Sequence, residues 1–344
     1  MPEGEADVEG VTLRRFAVQQ ERSSYFTELH RRLIDDFRAG QLVARWPRAL
    51  QEEFIRAQGP WSPGLLHHLR SNAWKFDAFV FCTYLYPTTY FGLRQVPASR
   101  AILVPTLHDE MTAYLSVFRD AAAAVRHCVW LTRAERDVAA RCWGIDTGTV
   151  VGMAVESVGG ENAVRPPGDA EEKYFLYVGR TDPEKGCRVL LSAFDKVRSA
   201  YSGKLKLVLA GSMNMDIGDP RQVEFLGFVD ETEKLRLMAG ATAFVMPSAY
   251  ESFSIVTLEA MSCGAPVLAN AACSVLADHV AVSDAGRCFG NEEELAEAMR
   301  WSLALDEGGR KRIAKAGMDY VERNFSRKLI GEKLCAVAFD DCAS

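Results

Sequence analysis

Two hydrophobic patterns alternate along the chain. Short runs of β-branched, aromatic and other apolar residues are typical of buried strands. Between them lie longer stretches in which apolar residues recur every three or four positions, as in amphipathic helices. One such stretch, "SSYFTELHRRLIDDFR" (23–38), begins with serine, a favoured helix cap, and places Phe26, Leu29, Leu33 and Phe37 on one face. The alternation predicts an α/β fold with parallel sheets.

The two patterns divide the chain into predicted elements. Strands are expected at 12–18, 77–82, 101–105, 128–131 and 149–153, and in the second half at 174–178, 205–209, 223–226, 243–247, 266–269 and 287–289. Helices are expected between the first-half strands, then at 186–200, 231–240, 255–263, 292–305 and 308–323, with a last helix at 327–339. No segment repeats another in sequence.

The length and one polar segment predict two domains. A chain of 344 residues exceeds the size at which one hydrophobic core keeps growing. The segment "GGENAVRPPGDAEEK" (159–173) is rich in Gly, Pro and acidic residues, which is typical of a linker. We therefore expect an N-terminal domain at 1–160, a linker at 161–173 and a second domain at 174–326. A C-terminal helix in 327–344 is expected to pack back on the first domain.

Composition narrows the function classes. The formal charge of -6 and pI of about 5.7 argue against a nucleic-acid partner, which normally meets a basic surface. The nine cysteines are scattered and never form C-x-x-C, which favours a reducing cytoplasm over a disulfide framework or a zinc site. The first residues contain neither a basic region nor an apolar region of the signal-peptide type, so we expect no secretory signal, and no apolar run is long enough for a transmembrane segment.

Two loops after predicted strands carry candidate chemistry, because parallel sheets bind ligands beyond the carboxyl ends of their strands. In "GRTDPEKG" (179–186), Gly179 allows a turn, and the cations of Arg180 and Lys185 suit a diphosphate. Lys185 precedes a glycine rather than following one, so this is not a P-loop, and no G-x-G-x-x-G supports a nicotinamide cofactor. Charged residues in an isolated turn are more often only solvated.

The second loop is "YESFSIVTLEA" (250–260). It turns the chain from a strand into a helix whose first peptide N–H groups, near Ser254 to Val256, would attract a phosphate. Glu251 lies before that helix and Glu259 lies inside it, so their carboxylates can accept hydrogen bonds from different hydroxyls of one elongated ligand. The simpler alternative is a turn glutamate and a solvated helix glutamate.

Over about 174–325 the sequence resembles the family 4 retaining glycosyltransferases, which have the GT-B fold of two Rossmann-like domains facing across a cleft. The resemblance rests on Glu251 and Glu259 with seven residues between them, on the "MSCGAPV" segment that follows (261–267), on "GRTDPEKG", and on "FLGFVDETEKLRLM" (225–238). In the first half, "VPTLHDEMTAYL" (104–115) and "LTRAERDVAARCWG" (131–144) also resemble this family, the latter as scaffold.

The resemblance implies a role for each matching residue. Arg180 and Lys185 would bind the donor diphosphate, Glu251 the transferred sugar and Glu259 the ribose, and His108 would face the donor sugar. These imply the catalytic set His108, Arg180, Lys185 and Glu251. The implied donor-binding set is Gly179, Gly211, Phe228, Val229, Ser252, Phe253, Ser254, Ile255, Val256 and Glu259.

Two departures from the family pattern affect these expectations. Members often have Gly, Phe, Gly after the first glutamate, whereas this chain has Ser252, Phe253 and Ser254, and serine narrows the allowed backbone. Members also open with a strand, a glycine-rich turn and a helix, whereas no paired glycines follow the strand predicted at 12–18. We therefore expect an N-terminal domain shortened by its first βαβ unit, naturally or because the chain is a fragment. Such a shortening would affect acceptor binding, because the first βαβ unit of family members contributes to phosphate and acceptor binding.

The expected activity is retaining transfer of a sugar from a nucleotide-diphosphate donor to an unknown acceptor. No Asp-x-Asp triplet is present, so we expect neither a metal nor another cofactor. One alternative is a non-catalytic or partner-dependent nucleotide-sugar-binding subunit, and another is a phosphorylase with a pyridoxal-bound lysine. Two weaker alternatives are an aromatic acceptor platform at 84–91, where core packing is favoured, and membrane contact by 29–33, where a solvated face is favoured.

Overall fold

The computed structural model describes residues 3–40, 45–156, 172–218 and 222–339. The chain divides into two compact units, one comprising Met1–Val151 with Leu334–Ser344 and the other comprising Gly152–Lys333. Each unit contains its own parallel sheet. Among the described residues, no helix combines the length and the apolar character needed to cross a bilayer.

The first unit contains a hairpin and a four-stranded parallel sheet. The hairpin strands are β1 (Gly4–Val8) and β2 (Val11–Arg15), and the sheet has the order β3 (Phe79–Cys82), β4 (Ala101–Val104), β5 (His127–Trp130) and β6 (Thr149–Val150). The helices are α1 (Phe26–Arg38), α2 (Arg48–Gln58), α3 (Pro63–Asn72), α4 (Pro87–Gly92), α5 (Ser116–Ala123) and α6 (Arg133–Trp143).

Two predictions at the start of the chain were wrong. The strand predicted at 12–18 is β2, which pairs antiparallel with β1 instead of joining the parallel sheet. Glu9 and Gly10 both have positive φ, as a type I′ hairpin turn requires, and this turn returns the chain on itself. The predicted serine cap is also wrong, because α1 has Tyr25 at its N-cap and no side-chain capping bond. The predicted loss of a first βαβ unit stays a prediction.

Aromatic side chains dominate the core of the first unit. Tyr84, Tyr90 and Phe91 are buried, so the core interpretation of 84–91 is confirmed for these rings. The Tyr84 ring packs edge-on against Phe118, with centroids 4.7 Å apart, an arrangement that adds to the free energy of burial. On α1, Arg31 and Arg32 are exposed, as the solvated-face interpretation predicts.

The second unit contains a six-stranded parallel sheet with helices in the connections. Its strands are β7 (Glu172–Val178), β8 (Lys204–Ala210), β9 (Val223–Gly227), β10 (Ala243–Met246), β11 (Val267–Asn270) and β12 (Gly286–Phe289), in the order β12-β11-β10-β7-β8-β9. Its helices are α7 (Cys187–Ala200), α8 (Glu231–Gly240), α9 (Ile255–Ser262), α10 (Ser274–Ser283), α11 (Glu292–Ala304), α12 (Glu307–Phe325) and α13 (Arg327–Phe339), the last of which continues into the first unit.

This strand order places a switch point between β7 and β10. The chain runs from β7 outward through β8 and β9, then returns to build β10, β11 and β12 on the other side. Because neighbouring connections leave in opposite directions there, the crevice beyond the carboxyl ends of β7 and β10 is where such sheets bind ligands. The loops that follow β7 and β10 are 179–186 and 247–254.

Most elements predicted for the second unit are confirmed, with ends that differ by a few residues. The exception is α10, which the sequence did not indicate because its apolar residues form an almost continuous run instead of a helical face. The predicted linker 161–173 falls largely on 161–171, outside the described residues, and Glu172 and Lys173 belong to β7. Within the first unit, the Arg126 guanidinium donates hydrogen bonds to the carbonyl oxygens of Val337 and Ala338 on the C-terminal helix.

Candidate functional site

Two glycines bring the ends of β7 and β8 into close approach. Gly179 follows β7 with φ +152°, and Gly211 follows β8 with φ +131°. The Gly179 N–H donates to the carbonyl oxygen of Ala210 at 2.8 Å, and a Cβ added to Gly211 would collide with the carbonyl oxygen of Gly179. Only glycine fits these conditions without strain, so the sequence-predicted turn glycines have a physical reason.

Gly186 brings Lys185 to the loop that follows β10. Gly186 has φ +76°, and a Cβ there would collide with the carbonyl oxygen of Pro247, the first residue after β10. Asp182 fixes the preceding turn by accepting a hydrogen bond from the Glu184 N–H at 2.9 Å. The turn therefore holds Lys185 at the switch point rather than leaving it in solvent.

Lys185 and Glu251 form the central ion pair of this site. The Lys185 ammonium nitrogen lies 2.7 Å from Glu251 Oε1, and the side chains are 32% and 18% exposed. The Arg180 side chain is more exposed than that of Lys185, and its Nε lies 3.3 Å from Asp182 Oδ2. The hydrogen bond from the Glu184 N–H, with smaller effects of Asn214, Arg180 and Lys185, lowers the pKa of the Asp182 carboxyl. The predicted cations thus lie beside carboxylates that hold them in place.

Ser254 begins α9 in a conformation that normally favours glycine. Its φ of +58° and ψ of +62° are left-handed, and its hydroxyl shares a 2.8 Å hydrogen bond with that of Thr257. Family 4 glycosyltransferases, which this sequence resembles, often have glycine at this position. The serine keeps the same type of backbone turn, and the hydrogen bond to Thr257 offsets part of the strain.

The residue before it, Phe253, is anchored in the core of the second unit. Its ring packs edge-on against His279 and Phe325, and its carbonyl oxygen lies 3.0 Å from His279 Nε2. Burial lowers the pKa of the His279 imidazole, which favours the neutral ring. This packing fixes the backbone that leads into α9, where the first N–H groups of the helix, at Ile255 and Val256, precede its first internal hydrogen bonds.

Glu259 is paired with a residue that sequence reasoning missed. Its Oε2 lies 2.8 Å from the Lys234 ammonium nitrogen, and the side chains are 15% and 16% exposed. Lys234 also lies 2.9 Å from Glu231 on the same helix. Burial raises the pKa of Glu259, and the bond from Lys234 opposes that effect. Burial lowers the pKa of Lys234, but the interactions with Glu259 and Glu231 raise it by more, so the pKa of Lys234 lies above its ordinary value. The net effect is a raised pKa for Glu259, so the Lys234 ammonium offsets only part of the effect of burial.

The remaining predicted donor-binding residues lie in the same unit. Phe228, in the loop after β9, is 86% exposed, which is unusual for a phenylalanine, and Val229 beside it is half-buried. Ile255 is exposed and Val256 half-buried at the start of α9, while Ser252 is half-buried in the loop before it. The exposed Phe228 ring is free to contact a flat ligand.

His108 lies in the first unit, in the loop after β4. Its Nδ1 is buried and has no hydrogen-bond partner among the described residues. Two residues earlier, Thr106 has φ +56°, which is strained for a β-branched residue. Neighbouring Glu110 accepts a hydrogen bond from the buried Tyr84 hydroxyl at 2.6 Å, and Asp109 accepts one from Tyr114 at 2.9 Å. His108 Nδ1 is thus a buried polar atom of this loop whose hydrogen-bonding capacity is unused among the described residues.

The second-unit arrangement can hold an anion between fixed charges and a helix N-terminus. The structure brings Lys185 and Glu251 together and pairs Glu259 separately with Lys234. Within the described ranges, no group of three His, Cys, Asp or Glu side chains is placed to hold a metal ion. The sequence offered little indication of a role for Lys234. It lies in the segment 225–238, on a helix whose many charged residues are typical of a solvated face.

Comparisons with known proteins relate the second half of the chain to glycosyltransferases. Residues 161–319 match the family model described as "Glycosyl transferases group 1". A phosphatidyl-myo-inositol mannosyltransferase of Propionibacterium freudenreichii is 33% identical over 175 residues, which are 48% of this chain and 43% of that protein. An uncharacterized glycosyltransferase of Methanocaldococcus jannaschii is 39% identical over 107 residues, 28% of this chain and 27% of that protein. The matched region is thus less than half of either relative.

Solved structures resemble the chain over a larger share of its length. Sucrose-phosphate synthase from Thermosynechococcus elongatus has a TM-score of 0.69 at 18% identity and covers 100% of this chain and 86% of its own. A trehalose 6-phosphate synthase from Burkholderia multivorans has a TM-score of 0.70 at 10% identity and covers 99% and 86%. These likenesses confirm the predicted fold class, α/β of the GT-B type.

Proposed function

We propose that the protein is a retaining transferase that moves a sugar from a nucleotide-diphosphate donor to an acceptor, a proposal supported by the match of residues 161–319 to the group 1 glycosyltransferase model. The observation that carries the proposal is the Lys185–Glu251 pair at the switch point between β7 and β10. A cation for the diphosphate and a carboxylate for the sugar hydroxyls are held side by side there, beside the first turn of α9.

The diphosphate is assigned to Arg180, Lys185 and the peptide N–H groups at Ser254 to Val256. Negative charge grows on the diphosphate as its bond to the sugar breaks, and preorganised positive groups stabilise that charge. Arg supplies a forked donor, Lys a point charge, and the helix N-terminus a partial positive charge. These groups perform the task that a divalent ion performs in some transferases, and the proposed reaction is metal-independent.

The rings on either side of the diphosphate are assigned to the glutamates. Glu259, paired with Lys234, accepts hydrogen bonds from the ribose hydroxyls, and Glu251 accepts them from the transferred sugar. Gly179 and Gly211 allow the backbone to approach the donor, Ser252 and Phe253 complete the loop, and the backbone at Phe228 and Val229 faces the base. His108 is assigned to the sugar as a hydrogen-bonding group.

The proposed reaction does not require a covalent intermediate between the enzyme and the sugar. The bond between the anomeric carbon and the diphosphate oxygen breaks, and the acceptor oxygen bonds to the same face of that carbon. The proton of the acceptor hydroxyl moves to an oxygen of the departing phosphate. Glu251 is therefore a binding group and not a nucleophile in this proposal, and a cytoplasmic location, suggested by the scattered cysteines, belongs to the proposal as well.

Calorimetric titration with UDP, GDP and ADP tests the site. For the nucleotide that binds, Lys185→Ala and Glu259→Ala are each expected to weaken binding at least tenfold, about 1.4 kcal/mol. The matched control is Lys196→Ala, because Lys196 lies in the third turn of α7 and pairs with Glu292 at 2.6 Å, along the helix away from Lys185. Unchanged affinity in both site variants, or an equal loss in the control, would refute the assigned site.

Transfer and metal dependence are tested with radiolabelled sugar nucleotides and a panel of glycan, lipid-linked and small-molecule acceptors. We expect transfer with retained anomeric configuration, undiminished by EDTA. Complete loss in EDTA that only a divalent ion restores would contradict the metal-free mechanism. Tight nucleotide-sugar binding without transfer to any acceptor would favour the alternative of a partner-dependent binding subunit.

A further inference from the structure

Glu135 is a buried acid that the proposed reaction does not use. It lies in the first turn of α6, and 1% of its surface is exposed. Glutamate is almost never buried to this degree without a partner, because removing a carboxylate from water is energetically unfavourable. Its partners are peptide N–H groups, and they identify what the residue does.

The two carboxylate oxygens of Glu135 bind two different loops. Oε1 accepts a 2.6 Å hydrogen bond from the Leu107 N–H, in the loop after β4, and Oε2 accepts one from the Leu131 N–H, at the end of β5. The residue's own N–H donates to the Thr132 hydroxyl at 3.0 Å, which caps the helix. Glu135 therefore ties the ends of two neighbouring strands to the start of α6.

The loop it holds contains two unfavourable features. Thr106, immediately before Leu107, has φ +56°, and Nδ1 of His108, immediately after it, is buried without a partner among the described residues. Both a strained residue and an unpaired buried polar atom reduce the stability of the folded state. Such features persist only where the surroundings fix them, and they concentrate at functional sites.

From this arrangement we infer that Glu135 is a positioning residue, which fixes the turn at 106–108 and thereby sets the orientation of the His108 imidazole for the donor sugar. The inference rests on the proposed function only for the role of His108. The positioning of the His108 ring by Glu135 involves only Glu135, Leu107 and His108, all of which lie in the first unit.

The requirement for two acceptor oxygens makes the test specific. In Glu135→Gln the side chain keeps its shape, but one oxygen becomes an NH₂ group that faces an N–H donor, so one of the two loop bonds is lost. Glu135→Asp keeps both oxygens on a chain one methylene shorter. Thr132→Ala is the matched control, because it removes the helix cap bond while keeping every peptide N–H that Glu135 accepts.

The first readout, taken at about pH 8 so that the Glu135 carboxylate is ionised, is the His108 ring resonances in protein labelled with ¹⁵N-histidine, assigned by their absence in His108→Asn. Glu135→Gln is expected to displace or broaden them, Glu135→Asp to do so less, and Thr132→Ala to leave them in place. The second readout is steady-state transfer, in which Glu135→Gln is expected to lower kcat at least tenfold and to change KM for the donor less than threefold.

Ring resonances in Glu135→Gln that coincide with those of the wild-type protein would overturn the inference. If Glu135→Gln does not fold, the same comparison is made with Glu135→Asp, and coincident resonances there overturn it equally. If the protein binds no nucleotide in the calorimetric experiment, the proposed function fails while the ring resonances still decide whether Glu135 positions His108.

Discussion

The Lys185 ammonium nitrogen lies 2.7 Å from Glu251 Oε1, although the two residues are 66 positions apart and belong to separate loops. The sheet order explains the proximity, since β7 and β10 are neighbours and the loops that follow them leave the same edge. In this geometry the carboxylate shares the cation that the diphosphate would use. In the proposed function, the pair would therefore set how strongly Lys185 attracts the diphosphate.

Replacement of Glu251 separates diphosphate binding from sugar binding. In Glu251→Gln, Lys185 no longer shares its charge, so nucleoside diphosphate affinity is expected to stay constant or to rise up to about fivefold, given that an exposed or half-exposed pair contributes about 1 kcal/mol or less. Transfer from the sugar nucleotide is expected to fall at least tenfold. Calorimetry and initial rates measure the two effects. Weaker diphosphate binding in the variant would mean that Glu251 positions Lys185 instead of competing for it.

Lys234 is expected to be required for ribose recognition. Lys234→Met removes the cation next to Glu259, so the pKa of that half-buried carboxyl should rise further and its ability to accept two hydroxyl bonds should fall. We expect nucleoside diphosphate binding to weaken about five- to tenfold. Glu231→Gln is the control, because Glu231 pairs with the same lysine but is itself exposed, and it should change affinity less than twofold. Equal effects of the two substitutions would contradict this role.

The sequence indicated the fold and part of the site because strands, helices and turn glycines are local patterns. Arg180, Lys185, Glu251 and Glu259 could each be named from their loops, but their pairing depends on which strands are neighbours. The β1–β2 hairpin reversed an expected parallel strand through the backbone at Glu9 and Gly10, where glutamate gives no local sign of positive φ.

Lys234 and Glu135 were missed for a related reason. Each lies on a helix rich in charged residues, where such a side chain is usually solvated. The burial of Glu135 arises from loops that reach it from elsewhere in the chain, at Leu107 and Leu131. No periodic pattern of apolar residues marks a carboxylate whose partners are peptide N–H groups.

Gly211 is expected to tolerate no side chain. In Gly211→Ala the new Cβ would meet the carbonyl oxygen of Gly179, whose backbone is already fixed by its bond to Ala210, and φ +131° is itself unfavourable for alanine. We expect a loss of about 2–4 kcal/mol in the free energy of unfolding, measured by urea denaturation, together with weaker nucleotide binding. Gly218→Ala is the control: it has φ +77° but open space around it, so the expected loss is about 1 kcal/mol. Similar losses in the two variants would refute the close approach.

Glu135 is expected to make stability fall as pH rises through the neutral range. Burial raises its pKa from the ordinary 4.5 to about 7, and the N–H bonds from Leu107 and Leu131 only partly oppose this. The folded protein then holds the proton more tightly than the unfolded chain, so the contribution is fully present below pH 4.5 and is lost as pH rises through about 7. Cys128 does not titrate in this range, since burial raises the pKa of its thiol to about 12.

Relative to Glu135→Gln, the free energy of unfolding of the wild-type protein should decrease by about 2–3 kcal/mol between pH 4.5 and 7 in urea melts. Above about pH 8 the difference should stay constant, and the ionised carboxylate then offers both oxygens to the loops. A difference that does not change across this range would show that the N–H bonds outweigh burial and keep the carboxylate ionised throughout.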